Sequence, residues 1–104
     1  MEQYRVLFES LDWQSSSHGA RYKLHRADGK QVRLLEFTPE FVEPDWCEKG
    51  HVGLVLEGEL EIDFHGNLVR YPAGAVLLIP TGAASGHKAR SIVPRTQLFL
   101  VEDA

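Results

Sequence analysis

Asp45-Trp46-Cys47-Glu48-Lys49-Gly50-His51 runs directly into Val52-Gly53-Leu54-Val55-Leu56-Glu57-Gly58-Glu59-Leu60-Glu61-Ile62. Three residue types that bind metals well, at positions 45, 47 and 51, all carry odd numbers and lead into an apolar strand. Side chains alternate faces along a strand, so 45, 47, 51, 53 and 55 are expected to share one face. A carboxylate, a thiol and an imidazole then stand beside Gly53 and Val55, on the inside of a small barrel. Such a cluster is either a metal site or the polar floor of a pocket.

Outward from this stretch the chain reads as strand after strand, and no window carries a helical period. Short β-branched and aromatic runs separated by turn signals are the pattern of a sandwich or barrel. A first strand is expected around Arg5 to Phe8, then a polar loop over Gln14 to Gly19. Residues 21–26 and 31–37 flank Ala27-Asp28-Gly29-Lys30, a hairpin signal because Asp-Gly tolerates positive φ. Pro39 and Pro44 make the next segment irregular. After Val52 to Leu56, Glu57-Gly58 turns the chain into Leu60 to Phe64, where apolar residues alternate with Glu59, Glu61 and Asp63 to leave an acidic outer face. His65-Gly66-Asn67 is a turn, and Leu68 to Tyr71 a short strand. Ala75 to Ile79 is an unbroken apolar run, expected to be buried on both faces. His87 to Ser91 and Thr96 to Glu102 complete the strands.

The two central segments resemble the two motifs of the cupin superfamily, G-x5-H-x-H-x(3,4)-E-x6-G and G-x5-P-x-G-x2-H-x3-N. His51 is separated from Gly58 by six residues and so takes the slot of the glutamate. Cys47 then takes the second histidine's slot and Asp45 the first's. Gly74-x5-Pro80-x-Gly82 matches the second motif in full. The histidine follows two residues late, at His87, and Ser91 stands in place of the asparagine. The resemblance spans residues 33 to 102 and implies an all-β fold, a double-stranded β-helix of jelly-roll type, as one domain over 1–104. Cupins include dioxygenases, isomerases, epimerases, decarboxylases, lyases, storage proteins and sensors, so the fold alone selects no reaction.

The resemblance implies a metal held by Cys47, His51, His87 and Asp45, with Glu48 as a substitute carboxylate. One thiolate, two imidazoles and a hard oxygen suit zinc, and iron, nickel or copper accept them too. For each residue there is a bland reading beside this one. A free cysteine is most often a small core residue, a histidine can be buried against a carbonyl, and an acid after proline commonly caps a turn. His18 and His65 are expected in solvated turns, while His25 can face either side. Tyr22, Phe37 and Trp46 are pocket-wall candidates, though aromatics are more often core. Arg33 shares parity with Leu35 and Phe37, which aims it at the barrel mouth to bind a carboxylate or leaves it on an exposed edge.

Composition bounds the function from outside. At 104 residues, 43% hydrophobic and 25% charged, the chain supports one soluble core. A formal net charge of −4 with no Lys/Arg cluster gives no drive towards nucleic acid or anionic membranes. The single cysteine, the absence of a basic-then-apolar start and the shortness of every apolar run make cytoplasmic the expected location. A homodimer is expected, since an open edge strand invites pairing. The leading expectation is a metal-dependent protein acting on, or binding, a small polar metabolite. The alternatives are a metal-free ligand-binding or sensory barrel, an epimerase-like enzyme with histidine as base, and a structural barrel with no site.

Overall fold

The computed structural model describes residues 1–104 as nine strands in two antiparallel sheets. The strands are β1 (Gln14–Ser17), β2 (Ala20–Ala27), β3 (Lys30–Phe37), β4 (His51–Glu57), β5 (Glu59–Phe64), β6 (Asn67–Pro72), β7 (Val76–Ile79), β8 (Lys88–Ser91) and β9 (Thr96–Asp103). One sheet has the order β1-β2-β3-β9-β4-β7 and the other β6-β5-β8. The inward faces of both close on one apolar core built from Leu35, Phe37, Val55, Leu60, Ile62, Leu77, Ile79, Leu98 and Leu100, with Ala20 at its edge.

Local chemistry accounts for the turns that set this order. Asp28 and Gly29 both take positive φ, as a two-residue hairpin requires, and align β2 with β3 from Ala20↔Phe37 to Ala27↔Lys30. His65 and Gly66 do the same between β5 and β6. Gly58 lies at φ 83 with no room for a side chain against the Arg95 carbonyl, so the β4–β5 turn admits only glycine.

Four expectations give way here. Arg5 to Phe8 is not a strand: short 3-10 turns at Glu2–Tyr4 and Phe8–Ser10 bracket it, and Phe8 packs edge-on against Phe99, ring centroids 6.1 Å apart. The Ser-rich segment is a strand, β1, whose backbone finds its partners on β2 although all four side chains are exposed. Glu61 does not belong to a solvated outer face, because it is buried under Arg90 and Arg70. The run ending in Ile79 is buried on one face only. Leu77 and Ile79 point into the core, while Val76 and Leu78 are 60% and 78% exposed.

The exposed positions of β7 continue across the sheet as two apolar rows, Val76–Leu54–Phe99–Leu34 and Leu78–Val52–Val101–Val32. Phe8 covers part of the first row; Val52 and Val101 in the second are exposed. No helix is long and apolar enough to cross a membrane.

Candidate metal centre

Cys47 and His87 lie forty positions apart and meet through a single antiparallel bridge. Cys47 N–H donates to the His87 carbonyl at 2.8 Å, and His87 N–H donates to the Cys47 carbonyl at 3.0 Å. Residues that exchange both bonds stand directly opposite, with side chains on the same side. His51, the first residue of β4, is fixed by its pairing with Ile79 on β7. Two separate backbone constraints thus bring one thiol and two imidazoles to one end of the barrel.

The ligand atoms of Cys47, His51 and His87 all lie within 4.8 Å of one another. Cys47 Sγ is 3.8 Å from His51 Nε2. Bonds of about 2.3 Å to sulfur and 2.0–2.1 Å to nitrogen place two ligands on a tetrahedral metal about 3.5 Å apart, so this pair matches a metal's bite to a few tenths of an ångström. The two rings stand at 75° with centroids 5.2 Å apart, and Phe64 packs beside His87 at 5.9 Å. His87 is buried and its Nδ1 is 2.9 Å from the Ser85 carbonyl. A carbonyl only accepts, so Nδ1 carries the proton and Nε2 keeps its lone pair for the site.

Asp45 does not join this group. It is exposed, in a bend after Pro44, and the strand alternation extrapolated back from His51 fails there because the backbone rejoins a partner only at Cys47. Glu48 is exposed as well, and its carbonyl accepts from Gly82 N–H. Gly53 does not open space beside His51: a Cβ there would sit 2.3 Å from the Phe99 carbonyl oxygen, so the residue serves close strand packing.

Beneath the three ligands is a cavity of about 230 Å3. Its walls are mostly apolar, from Leu35, Phe37, Phe41, Leu60, Ile62, Leu77, Leu98 and Leu100, with Arg33, Glu43 and Lys49 as charged groups. Phe37 is in the wall, stacked on Phe41 at 4.5 Å. Tyr22 and Trp46 are not among the lining residues; Trp46 stacks on the exposed His65 instead, at 3.9 Å. His18 is exposed and 3.0 Å from Glu40, and His25 is exposed on β2.

The residue that sequence reading missed is Glu102. Its side chain is 1% exposed and faces inward from β9. Arg33 grips it with two bonds, Nε to Oε1 at 2.6 Å and Nη2 to Oε2 at 2.9 Å, so this guanidinium is taken up by a carboxylate of the chain itself. Gln31 Nε2 donates to Oε1 at 2.8 Å. On the other side Oε2 is 3.4 Å from His51 Nδ1 and 3.6 Å from Lys49 Nζ. Burial pushes the Glu102 carboxyl pKa up, but His51, Arg33 and Gln31 outweigh it and hold the group ionised well below the usual carboxylate range. His51 Nδ1 is buried with no partner closer than this oxygen, a long contact rather than a formed bond. The only hint in the sequence was parity, since Glu102 is in step with the apolar Leu98 and Leu100.

Comparison with known proteins supplies the context. No protein-family model matches the sequence, and a search of curated proteins found no match. Solved structures do match. KdgF from a Halomonas species superposes with a TM-score of 0.76 at 20% identity, covering 91% of this chain and 87% of its own. A sugar phosphate isomerase of the cupin superfamily from Silicibacter pomeroyi gives 0.79 at 14% identity, covering 96% and 75%. A cupin-2 domain protein from Shewanella frigidimarina gives 0.71 at 24% identity, over 100% and 99% of the two chains. Two antiparallel sheets closed on one core, the Gly-x5-Pro-x-Gly frame and these superpositions agree: the chain has the fold of the cupin superfamily.

Proposed function

We propose that this protein binds one divalent transition metal through Cys47, His51 and His87 and uses it to bind or transform a small metabolite. The observation that carries this reading is the convergence of three ligand atoms within 4.8 Å above a cavity. A thiolate with two imidazoles suits zinc, iron or nickel, and three protein ligands leave a position open. When bound, the metal supplies Lewis acidity or oxygen activation.

The chain's own residues supply the rest. The leucines and Phe37 give the cavity its apolar wall, and the Ser85 carbonyl holds the His87 ring by its Nδ1–H. Asp45 and Glu48 are assigned no part in the metal shell, because both are exposed. A cavity of about 230 Å3 admits a small molecule, with Lys49 as a cation at the mouth. Among similar folds, the Silicibacter protein is described as a sugar phosphate isomerase, which supports small-molecule chemistry as the general class.

A second reading rests on a specific observation. A histidine backed by a buried carboxylate, as His51 is by Glu102, is also the arrangement of a general base, so His51 without metal serves an epimerase-like reaction. One measurement separates the two. Elemental analysis of untagged protein is expected to find one transition metal per chain, lost in His87→Ala while the circular dichroism spectrum is retained. Wild-type protein without stoichiometric metal defeats the first reading and leaves the second.

A further inference from the structure

We infer that Glu102 is the positioning residue of this site: it holds His51 in the tautomer with the proton on Nδ1 and so presents the Nε2 lone pair to the metal. The inference rests on the metal reading above and adds to it a residue outside the set of ligands. Ligating histidines commonly give their second ring N–H to a carboxylate or carbonyl, which fixes tautomer and ring orientation. His87 has the carbonyl of Ser85 for this purpose at 2.9 Å. His51 has only Glu102 Oε2, at 3.4 Å from its buried Nδ1.

The remaining bonds of Glu102 make it a fixed acceptor. Arg33 Nε and Gln31 Nε2 both donate to Oε1, and Arg33 Nη2 to Oε2. The carboxylate cannot rotate without breaking the Arg33 fork. Oε2 therefore keeps a lone pair aimed past Arg33 towards His51. An ionised carboxylate has no proton to donate, so the tautomer with Nδ1 bare would set a buried lone pair against a buried negative charge. Only Nδ1–H satisfies both atoms. Nε2, 3.8 Å from Cys47 Sγ, is then free to ligate.

The substitution Glu102→Gln tests this with nearly unchanged shape. Two donors point at the Oε1 position against one, Arg33 Nη2, at Oε2, so the introduced amide keeps its oxygen at Oε1, gives up the Nη2 bond and turns its NH2 towards His51. An N–H facing Nδ1 requires a bare Nδ1, which moves the His51 proton to Nε2, onto the ligating atom. In metal-free protein labelled with 15N-histidine, in mildly alkaline buffer, the long-range 1H–15N spectrum of wild type is expected to show Nδ1–H for both His51 and His87. Glu102→Gln is expected to convert His51 to Nε2–H and leave His87 unchanged. Affinity for Co(II), read from its thiolate charge-transfer absorption, is expected to fall about 10–100-fold.

Arg33→Gln guards against a purely structural effect. It weakens the grip on Glu102 while leaving the carboxylate beside His51, so His51 is expected to keep Nδ1–H. A wild-type His51 already protonated on Nε2 overturns the inference. So does a Glu102→Gln protein with unaltered tautomer, or an Arg33→Gln protein whose His51 shifts as far. Wild-type protein with the expected tautomer that takes up no Co(II) overturns the metal reading and leaves the tautomer lock standing.

Discussion

Cys47 is half-buried, and its Sγ lies 3.9 Å from the Lys49 carbonyl oxygen and 3.8 Å from His51 Nε2. A thiol so placed reports directly on what fills the site. Metal-bound thiolate is shielded, so alkylating reagents are expected to label Cys47 slowly in protein as purified and quickly once a chelator is added. Acidification is expected to release the metal as well, because protons compete for the thiolate and both imidazoles. Labelling at one rate with and without chelator would remove Cys47 from the site. Glu102 gives a second signature at this scale. Its folded-state pKa lies below the unfolded one, as does that of Glu36 beneath Arg21 and Gln97, where the same contest of burial against hydrogen bonds is won by the bonds. Stability from a depressed carboxylate is fully present above the unfolded pKa of about 4.3 and is lost as pH falls towards the folded one. The urea midpoint of metal-free wild-type protein is therefore expected to be level above about pH 5 and to fall below it, with a shallower fall in metal-free Glu102→Gln. Equal acid slopes in the two proteins would show that Glu102 carries no such linkage.

The strands explain both what was legible in the sequence and what was not. Asp28-Gly29 announces its hairpin because a positive-φ pair at that position serves no other end, and the β2–β3 register follows from it. The Gly74-x5-Pro80-x-Gly82 frame and the alternation of β5 carried the fold in the same way. Cys47, His51 and His87 were readable as a group from motif spacing, and they converge. Asp45 was not, because alternation holds only while the backbone stays extended, and the bend after Pro44 breaks it. Glu102 was invisible for a different reason: nothing local distinguishes a buried acid from an exposed one when its partners, Arg33 and Gln31, lie about seventy residues away. Gly53 shows that an element can hide its constraint too. It sits mid-strand where glycine is normally a weakness, yet a Cβ there would meet the Phe99 carbonyl at 2.3 Å and a Leu100 methyl at 2.5 Å. Gly53→Ala is expected to cost about 1–3 kcal/mol or more through overpacking, lowering Tm by roughly 4–8 °C for each kcal/mol in a domain of this size. A calorimetric Tm within a degree or so of wild type would mean that β9 yields freely and that the close approach is incidental.

The outer face of the larger sheet carries apolar side chains that no other part of the chain covers. Val52, Val76, Leu78 and Val101 form a patch with no covering element, and they adjoin β7, an edge strand with unpaired backbone on its outer side. Water-exposed apolar rows beside an open edge are a liability that chains resolve by pairing. The second row is β-branched at Val52, Val101 and Val32, and a symmetric pair of copies would set the same patch against itself across a two-fold axis. We propose a homodimer through this face, which leaves the metal centre and the cavity on the inside of each barrel undisturbed. Sedimentation of the wild-type protein at micromolar concentration is expected to give twice the chain mass of 11.7 kDa. Leu78→Lys is the sharper test. At 78% exposure the side chain contributes little to the fold of one chain, so the circular dichroism spectrum and metal content are expected to be retained. A buried lysine against its own symmetry mate is costly, so the variant is expected to sediment as a monomer. A wild-type monomer, or a Leu78→Lys dimer as tight as wild type, would rule this face out as the interface.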